Sequence, residues 1–312
     1  MRAPAIEILG LSKSYAVGFL RKSLKPALQA LTLSVEEGET FGFLGPNGAG
    51  KTTTLKLLMG IIFPTSGSAR ILGQDFHDPD VKKQIGFLPE QPYFYDYLSA
   101  PELLDYYAQL CGMPSEERRK KIPALLERVG LPDAGKTHLR KFSKGMLQRV
   151  GIAQAIIHDP KVVFLDEPMS GLDPLGRREI RELIQELKDQ GKTVFFSTHI
   201  LSDAEALCDR VAVIHKGELR GIGVVEDLQS KTAATSEVVW QGSHALASAG
   251  SLVSETHTTG EIVRAVVAAH DLDMLLEKLR QQHAQIISVT PVQGTLEDYF
   301  VSHTSETEQA RA

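Results

Sequence analysis

An α/β domain built on a buried parallel sheet, with a smaller α+β unit behind it, is the fold class the sequence predicts, on three observations. Strand-like apolar runs alternate with helix-length amphipathic segments over residues 162–214, the order of βαβ units. Those runs are almost unbroken Val, Leu, Ile and Phe, as strands covered on both faces are. The chain has 312 residues, more than one core usually organises, and its composition turns polar near Ser230.

The elements follow in order. Ile6–Leu11, Leu28–Val35 and Thr40–Leu44 read as strands, and the last enters a glycine-rich turn and the apolar helix Thr52–Met59. From Pro101 to about Ile157 the period becomes helical, with Leu103, Leu104, Tyr107 and Leu110 on one face and Leu125, Leu126 and Val129 on another. Val162–Leu165, Thr193–Phe196 and Val211–Ile214 are the parallel strands, with helix Arg177–Lys188 among them. Beyond a linker near Ser230, strands Val238–Trp240, Ile262–Val267 and Ile286–Val289 and helix Leu272–Leu279 form the small unit. The expected boundaries are a first domain over 1–229 with a helical insert at about 92–160, a second over 230–303, and a polar tail over 304–312.

Composition narrows the classes. Hydrophobic residues make up 42% and charged residues 23%, enough apolar surface to fold. The 34 basic and 39 acidic side chains leave a net charge of −5, so the overall field does not favour nucleic acid, and none is expected as a partner. Cys111 and Cys208 are too few for a disulfide framework, which fits a reducing cytoplasm. Residues Met1–Glu7 reach an acid before an apolar leader develops, and no run approaches the roughly 18 apolar residues of a membrane span. A role in a membrane process therefore requires docking onto a separate, membrane-embedded polypeptide.

Two motifs carry chemistry. Gly45-Pro46-Asn47-Gly48-Ala49-Gly50-Lys51-Thr52 matches G-x-x-x-x-G-K-[ST] between a strand and a helix. Its glycines let the backbone curl N–H groups around a triphosphate, and the helix start adds its positive dipole end. Lys51 would reach the β and γ oxygens and the Thr52 hydroxyl would coordinate Mg²⁺, with Thr53 a further phosphate contact. Asp166 and Glu167 end the strand Val162–Leu165, where open α/β sheets bind ligands. Asp166 is the expected Mg²⁺ ligand, and Glu167 the group that polarises the attacking water.

Phe142-Ser143-Lys144-Gly145-Met146-Leu147-Gln148-Arg149 resembles the L-S-G-G-Q signature of the ABC nucleotide-binding domains, and it lies between the phosphate loop and the acid pair as in that family. The resemblance implies a P-loop ATPase fold: a RecA-like core, a β-subdomain and a helical subdomain. It also implies that Ser143 and Gly145 contact the γ-phosphate held by a second copy of the chain, so that two copies close around two ATP molecules. Phe142, Lys144 and Met146 depart from the consensus; Lys144 either adds charge at that phosphate or faces solvent. Ser170-Gly171-Leu172-Asp173-Pro174 is similar to the D-loop, with Asp173 crossing the dimer interface. His199 matches the switch histidine, a donor to the γ-phosphate that holds the water and Glu167 in place.

Further likenesses extend the match. Leu11-Ser12-Lys13-Ser14-Tyr15 resembles the segment whose aromatic ring, here Tyr15, stacks on adenine, before a short basic insertion over Val17–Pro26. In Gly86-Phe87-Leu88-Pro89-Glu90-Gln91 the Q-loop position falls best on Glu90, a possible Mg²⁺ ligand, with Gln91 beside it. Tyr93-Phe94-Tyr95-Asp96-Tyr97 then either lines the groove for a membrane-subunit helix or packs within the insert. Gly294–Phe300 resembles the closing segment of drug- and lipid-export ATPases. The implied function is an ATP-hydrolysing subunit, peripheral on the cytoplasmic face of the membrane, that energises a multispanning permease. The rival is a soluble ABC ATPase clamping nucleic acid, a ribosome or an assembly complex; its fused cassettes, coiled coils and basic arms are not seen in this sequence.

Overall fold

The structure, a computed structural model, describes residues 4–18, 23–230, 235–242, 245, 249–292 and 296–297. It separates into two compact units, Met1–Gly223 and Val224–Ala312. The expected linker just after Ser230 and the polar tail over 304–312 lie outside the described residues, as do most of the closing segment and residues 301–303.

The first unit is organised by a six-stranded sheet. Strands β3 (Thr40–Leu44), β6 (Ile85–Leu88), β7 (Val162–Asp166), β8 (Thr193–Thr198), β9 (Arg210–His215) and β10 (Glu218–Val224) take the order β10-β9-β3-β8-β7-β6. The pairings β9 with β3, β3 with β8, β8 with β7 and β7 with β6 are parallel. Every residue of β3, β7 and β8 is buried, the condition for which their unbroken apolar composition is suited. Side chains alternate across the sheet, so each strand feeds two cores. Val162 and Phe164 join Phe41, Phe43 and Phe195 in the core shared with helix α1 (Lys51–Leu58). Val163, Leu165, Val194 and Phe196 point the other way.

That second core is completed by the helical insert, helices α3 (Ala100–Leu110), α4 (Ser115–Arg128) and α5 (Lys144–Ile156), and by α6 (Pro174–Asp189). Leu103, Leu104, Leu125, Leu126 and Val129 are buried as the helical period predicts. Leu110 is not: it is 66% exposed, and Ala108 is buried instead. Leu110 is the last residue of α3, and the chain turns away at Gly112 (φ 75°) before the next helix can cover it.

Against the first core lies an antiparallel sheet of β1 (Pro4–Val17), β2 (Ser23–Glu36), β4 (Ser66–Ile71) and β5 (Gln74–Asp75), in the order β2-β1-β4-β5. It contributes Ile6, Ile8, Leu31 and Ile71 to the packing. Two short helices, α2 (Pro79–Lys82) and α7 (Leu201–Leu207), complete the unit.

The second unit begins with helix α8 (Val225–Ser230). Its antiparallel sheet takes the order β12-β13-β11-β14, from β11 (Thr235–Gln241), β12 (Val253–Thr259), β13 (Ile262–Ala268) and β14 (Gln285–Val292). Val238, Trp240, Val263, Ala265 and Val267 face Leu275 and Leu279 of α9 (Leu272–Gln281), a core of its own.

Candidate active site

The phosphate loop links β3 to α1, and its shape depends on glycine at two positions. Gly48 has φ 80° and Gly50 φ 114°, the left-handed side that other residues resist. At Gly50 a Cβ would stand 2.6 Å from the Ala27 carbonyl oxygen, so no other residue fits without moving the backbone. The loop leads straight into α1, whose first residue is Lys51.

Lys51 is buried, and its ammonium makes three contacts. It donates to the carbonyls of Gly45 (2.6 Å) and Pro46 (3.3 Å) and lies 3.0 Å from Oε1 of Glu167. The other oxygen of Glu167, Oε2, lies 2.7 Å from Nδ1 of His199. Glu167 is therefore held between a cation and an imidazole, with its side chain 6% exposed. Its backbone is left-handed at φ 50°, unusual for a residue with a Cβ and a form of strain that collects at working sites. The Glu167 N–H donates to the Ser197 hydroxyl at 3.0 Å, which anchors the turn.

Ser197, which sequence reasoning missed, also donates to Oδ1 of Asp166 at 2.6 Å. The parallel register of β7 and β8 sets Ser197 opposite Asp166, so one hydroxyl serves both acids. Thr52 Oγ1 donates to the same Oδ1 at 3.3 Å. Burial lifts the Asp166 carboxyl above its ordinary pKa; the two hydroxyl donors pull the other way, and the charges of Glu90 and Glu167 add to the rise. A bound cation would reverse that balance.

Between these groups opens a cavity of about 330 Å³ whose walls include Asn47, Lys51, Thr52, Thr53, Glu90 and Glu167. Glu90 is on that wall and Gln91 is not, so of the two neighbours it is the carboxylate that faces the phosphate loop.

The signature residues are arranged at the start of α5. Ser143 caps it, its Oγ accepting from Met146 N at 3.2 Å, and exposed Lys144 and half-buried Gly145 open the first turn. None of the three lines the cavity that Lys51 and Glu167 line. Gln148, another residue missed from the sequence, donates from its buried amide to the Pro168 carbonyl at 3.2 Å and ties α5 to the segment after Glu167. In that segment Asp173 caps α6, accepting from Gly176 N at 2.8 Å, and the Lys144 side chain lies over Gly171.

Comparison with known proteins completes the picture. A family described as ABC transporter matches residues 28–170. An ABC transporter ATP-binding protein of Synechocystis sp. is 44% identical over 308 residues, 98% of this chain and 86% of that one. The chain belongs to the ABC transporter ATP-binding proteins. The bacitracin transport ATP-binding protein BcrA of Bacillus licheniformis is 45% identical over 192 residues, 61% of this chain and 62% of its own. A solved ATP-binding subunit of an ABC transporter superposes with TM-score 0.63 at 32% identity, covering 72% of this chain and 92% of that one. A dimeric ATP-binding cassette in a post-hydrolysis state, bound to ADP and Pi, gives TM-score 0.64 at 27% identity over 70% of this chain and 98% of that one.

Other expected positions of this ABC ATPase are placed as follows. Tyr15 lies on β1, 40% exposed, with the Lys13 ammonium 5.3 Å from its ring centroid, and Ala27 of the paired strand reaches the cavity wall. The aromatic run divides: Tyr95 and Tyr97 meet outside with their rings tilted, 50% and 60% exposed, whereas Phe94 packs partly on the insert core. Tyr93 and Phe94 join Phe87, Pro92, Tyr107 and Leu110 around a groove of about 570 Å³. No described helix is long and apolar enough to cross a membrane.

Among the described residues no group of three His, Cys, Asp or Glu side chains forms a metal site by itself. The hard oxygens of Thr52 and Asp166, side by side and partly desolvated, fit magnesium, which normally takes only one or two protein ligands beside substrate phosphates.

Proposed function

We propose that this ABC ATPase is the energising subunit of a membrane exporter, working as a pair of copies that close around two ATP molecules. The observation that carries it is Glu167, fixed by Lys51 on one oxygen and His199 on the other, at the wall of the phosphate-loop cavity. The loop N–H groups and the Lys51 ammonium bind the triphosphate, and the α1 dipole favours its charge. Glu167 orients a water toward the γ-phosphorus and takes its proton as the P–O bond to ADP breaks, leaving ADP and inorganic phosphate. His199 keeps the carboxylate in line. Thr52, Asp166 and Glu90 are the residues that would hold magnesium, which when bound neutralises charge on the β and γ oxygens.

The signature residues lie away from their own chain's phosphate cavity, so Ser143 and Gly145 serve the γ-phosphate on a second copy, with Asp173 at the seam. Tyr15 stacks on adenine. The groove beside Tyr93 and Phe94 receives a helix of a multispanning permease, which places the subunit peripherally on the cytoplasmic face. Export as the direction rests on the likeness of Gly294–Phe300 to the closing segment of drug- and lipid-export ATPases.

Glu167→Gln tests the reading. Loss of the general base should lower kcat by roughly 10²–10⁴-fold while magnesium–ATP affinity stays within a few-fold, and ATP should trap the variant as a dimer in size-exclusion chromatography. Hydrolysis at the parent rate would overturn the assignment of Glu167.

A further inference from the structure

Asp203 is fully buried, yet it takes no part in the chemistry derived above. Arg181 donates to its Oδ1 from Nε at 3.1 Å and from Nη2, while Oδ2 is buried without a hydrogen-bond partner among the described residues. Arg181 stands on α6, the helix the chain enters after Glu167 and the 170–173 loop. Asp203 stands in the first turn of α7, the helix the chain enters directly after His199.

The same two segments are thus joined twice. At the front, His199 Nδ1 meets Glu167 Oε2 at 2.7 Å. Behind, the ion pair ties the helix that follows each of those residues. We propose that the Arg181–Asp203 pair is a positioning clamp that fixes α7 on α6 and thereby holds the His199 imidazole against Glu167.

Two physical points favour positioning over simple stabilisation. A helix of seven residues does not stand alone, and α7 has no side-chain cap at Ile200, so its place is set by what it is tied to. Asp203 is fully buried while the Arg181 side chain is 35% exposed, so the carboxylate bears the desolvation cost, and its unpartnered Oδ2 leaves that cost only partly recovered. Such a pair holds direction better than it adds stability. His199 has 39% of its side chain exposed, and its one contact to the site is the bond to Glu167. A small drift of α7 would part them, and a displacement of about 1 Å at a reacting centre lowers rates by as much as roughly 10²-fold.

The test rests on the ATPase reading and uses the purified 312-residue chain. Asp203→Asn keeps the shape and removes the charge; kcat for ATP should fall about 10-fold, with KM for ATP within about 2-fold of the parent. In the His199→Ala background the same change should cost nothing further, because the clamp acts through that imidazole. Equal losses in both backgrounds, or no loss in either, would overturn the clamp. Should Asp203→Asn fold poorly, the apolar pair Arg181→Met with Asp203→Leu restores packing without direction. It should melt like the parent and remain slow, whereas a parent rate would reduce the pair to packing. A parent chain that hydrolyses no ATP would instead refute the proposed function and leave the clamp without an object.

Discussion

Asp166 is buried with its charge, and the site is arranged to tolerate this until a cation arrives. Burial holds its folded pKa above the ordinary value, so between the two values the folded chain binds more protons than the unfolded one. Stability contributed by the protonated carboxyl is therefore present below the ordinary Asp pKa of about 4 and lost as pH rises through the folded value. Asp166→Asn removes that loss: without nucleotide it should melt above the parent at pH 7.5, the gap closing toward pH 4, while ATPase activity disappears. Thermal melts across that pH range check it, and a variant that melts lower at pH 7.5 would mean the Ser197 and Thr52 hydroxyls outweigh desolvation. At this scale the sequence displays the residues that a motif spells out. Lys51, Thr52, Asp166, Glu167 and His199 stand together in the structure, the first four on motifs written in the residues and His199 on the family resemblance. Ser197 and Gln148 do not announce themselves, because a hydroxyl in a strand and an amide in a helix are ordinary there until strand register or helix packing aims them. Which of Glu90 and Gln91 lines the cavity likewise depends on which way the backbone turns after β6.

Among the elements, α5 is where one residue, Ser143, caps a helix and is also proposed to meet a phosphate. Ser143 Oγ satisfies the Met146 N–H at the helix start, and the same end of the helix is its positive pole, which in the proposed pairing meets a phosphate. Ser143→Ala should lower unfolding free energy by about 0.5–2 kcal/mol through the lost cap and also slow hydrolysis. Ser143→Asp separates the two effects, since aspartate caps as well but sets a negative charge where the phosphate must come. Urea denaturation should show Ser143→Asp as stable as the parent while its ATPase rate falls below that of Ser143→Ala; a rate equal to the parent would remove Ser143 from the phosphate site. The elements most legible in the sequence are those buried on both faces, β3, β7 and β8, because their composition leaves no alternative. Strands β4, β5, β6, β10 and β12 are not legible in the sequence: β12, for one, is exposed along nearly its whole length, so nothing apolar alternates to reveal it. The ends of α3 misled for a related reason, since helical period cannot tell that Leu110 lies past the last covering helix.

For the whole molecule, the proposed pairing of two copies rests on the phosphate loop and the signature residues standing apart in a single chain. Lys51, Thr52 and Glu167 surround one cavity, and Ser143, Lys144 and Gly145 are on none of its walls. Hydrolysis that needs both sets must follow the population of paired copies, not the number of chains. Below the dimer dissociation constant the ATPase rate should then rise with about the square of protein concentration, each doubling giving roughly a fourfold rate, and turn linear above it. Mixing supplies a sharper form. Lys51→Ala chains cannot grip triphosphate but keep Ser143, and Ser143→Asp chains grip it but offer a repelling signature. Each should be nearly inactive alone. An equimolar mixture forms heterodimers in which the Lys51 site of one copy faces the intact Ser143 of the other, so one working site is rebuilt per mixed pair and activity should reappear at up to about a quarter of the parent rate, half the pairs being mixed and one of two sites restored in each. A mixture as silent as its components, with both variants shown to dimerise, would place the signature and the phosphate loop in service of the same chain and refute the shared site.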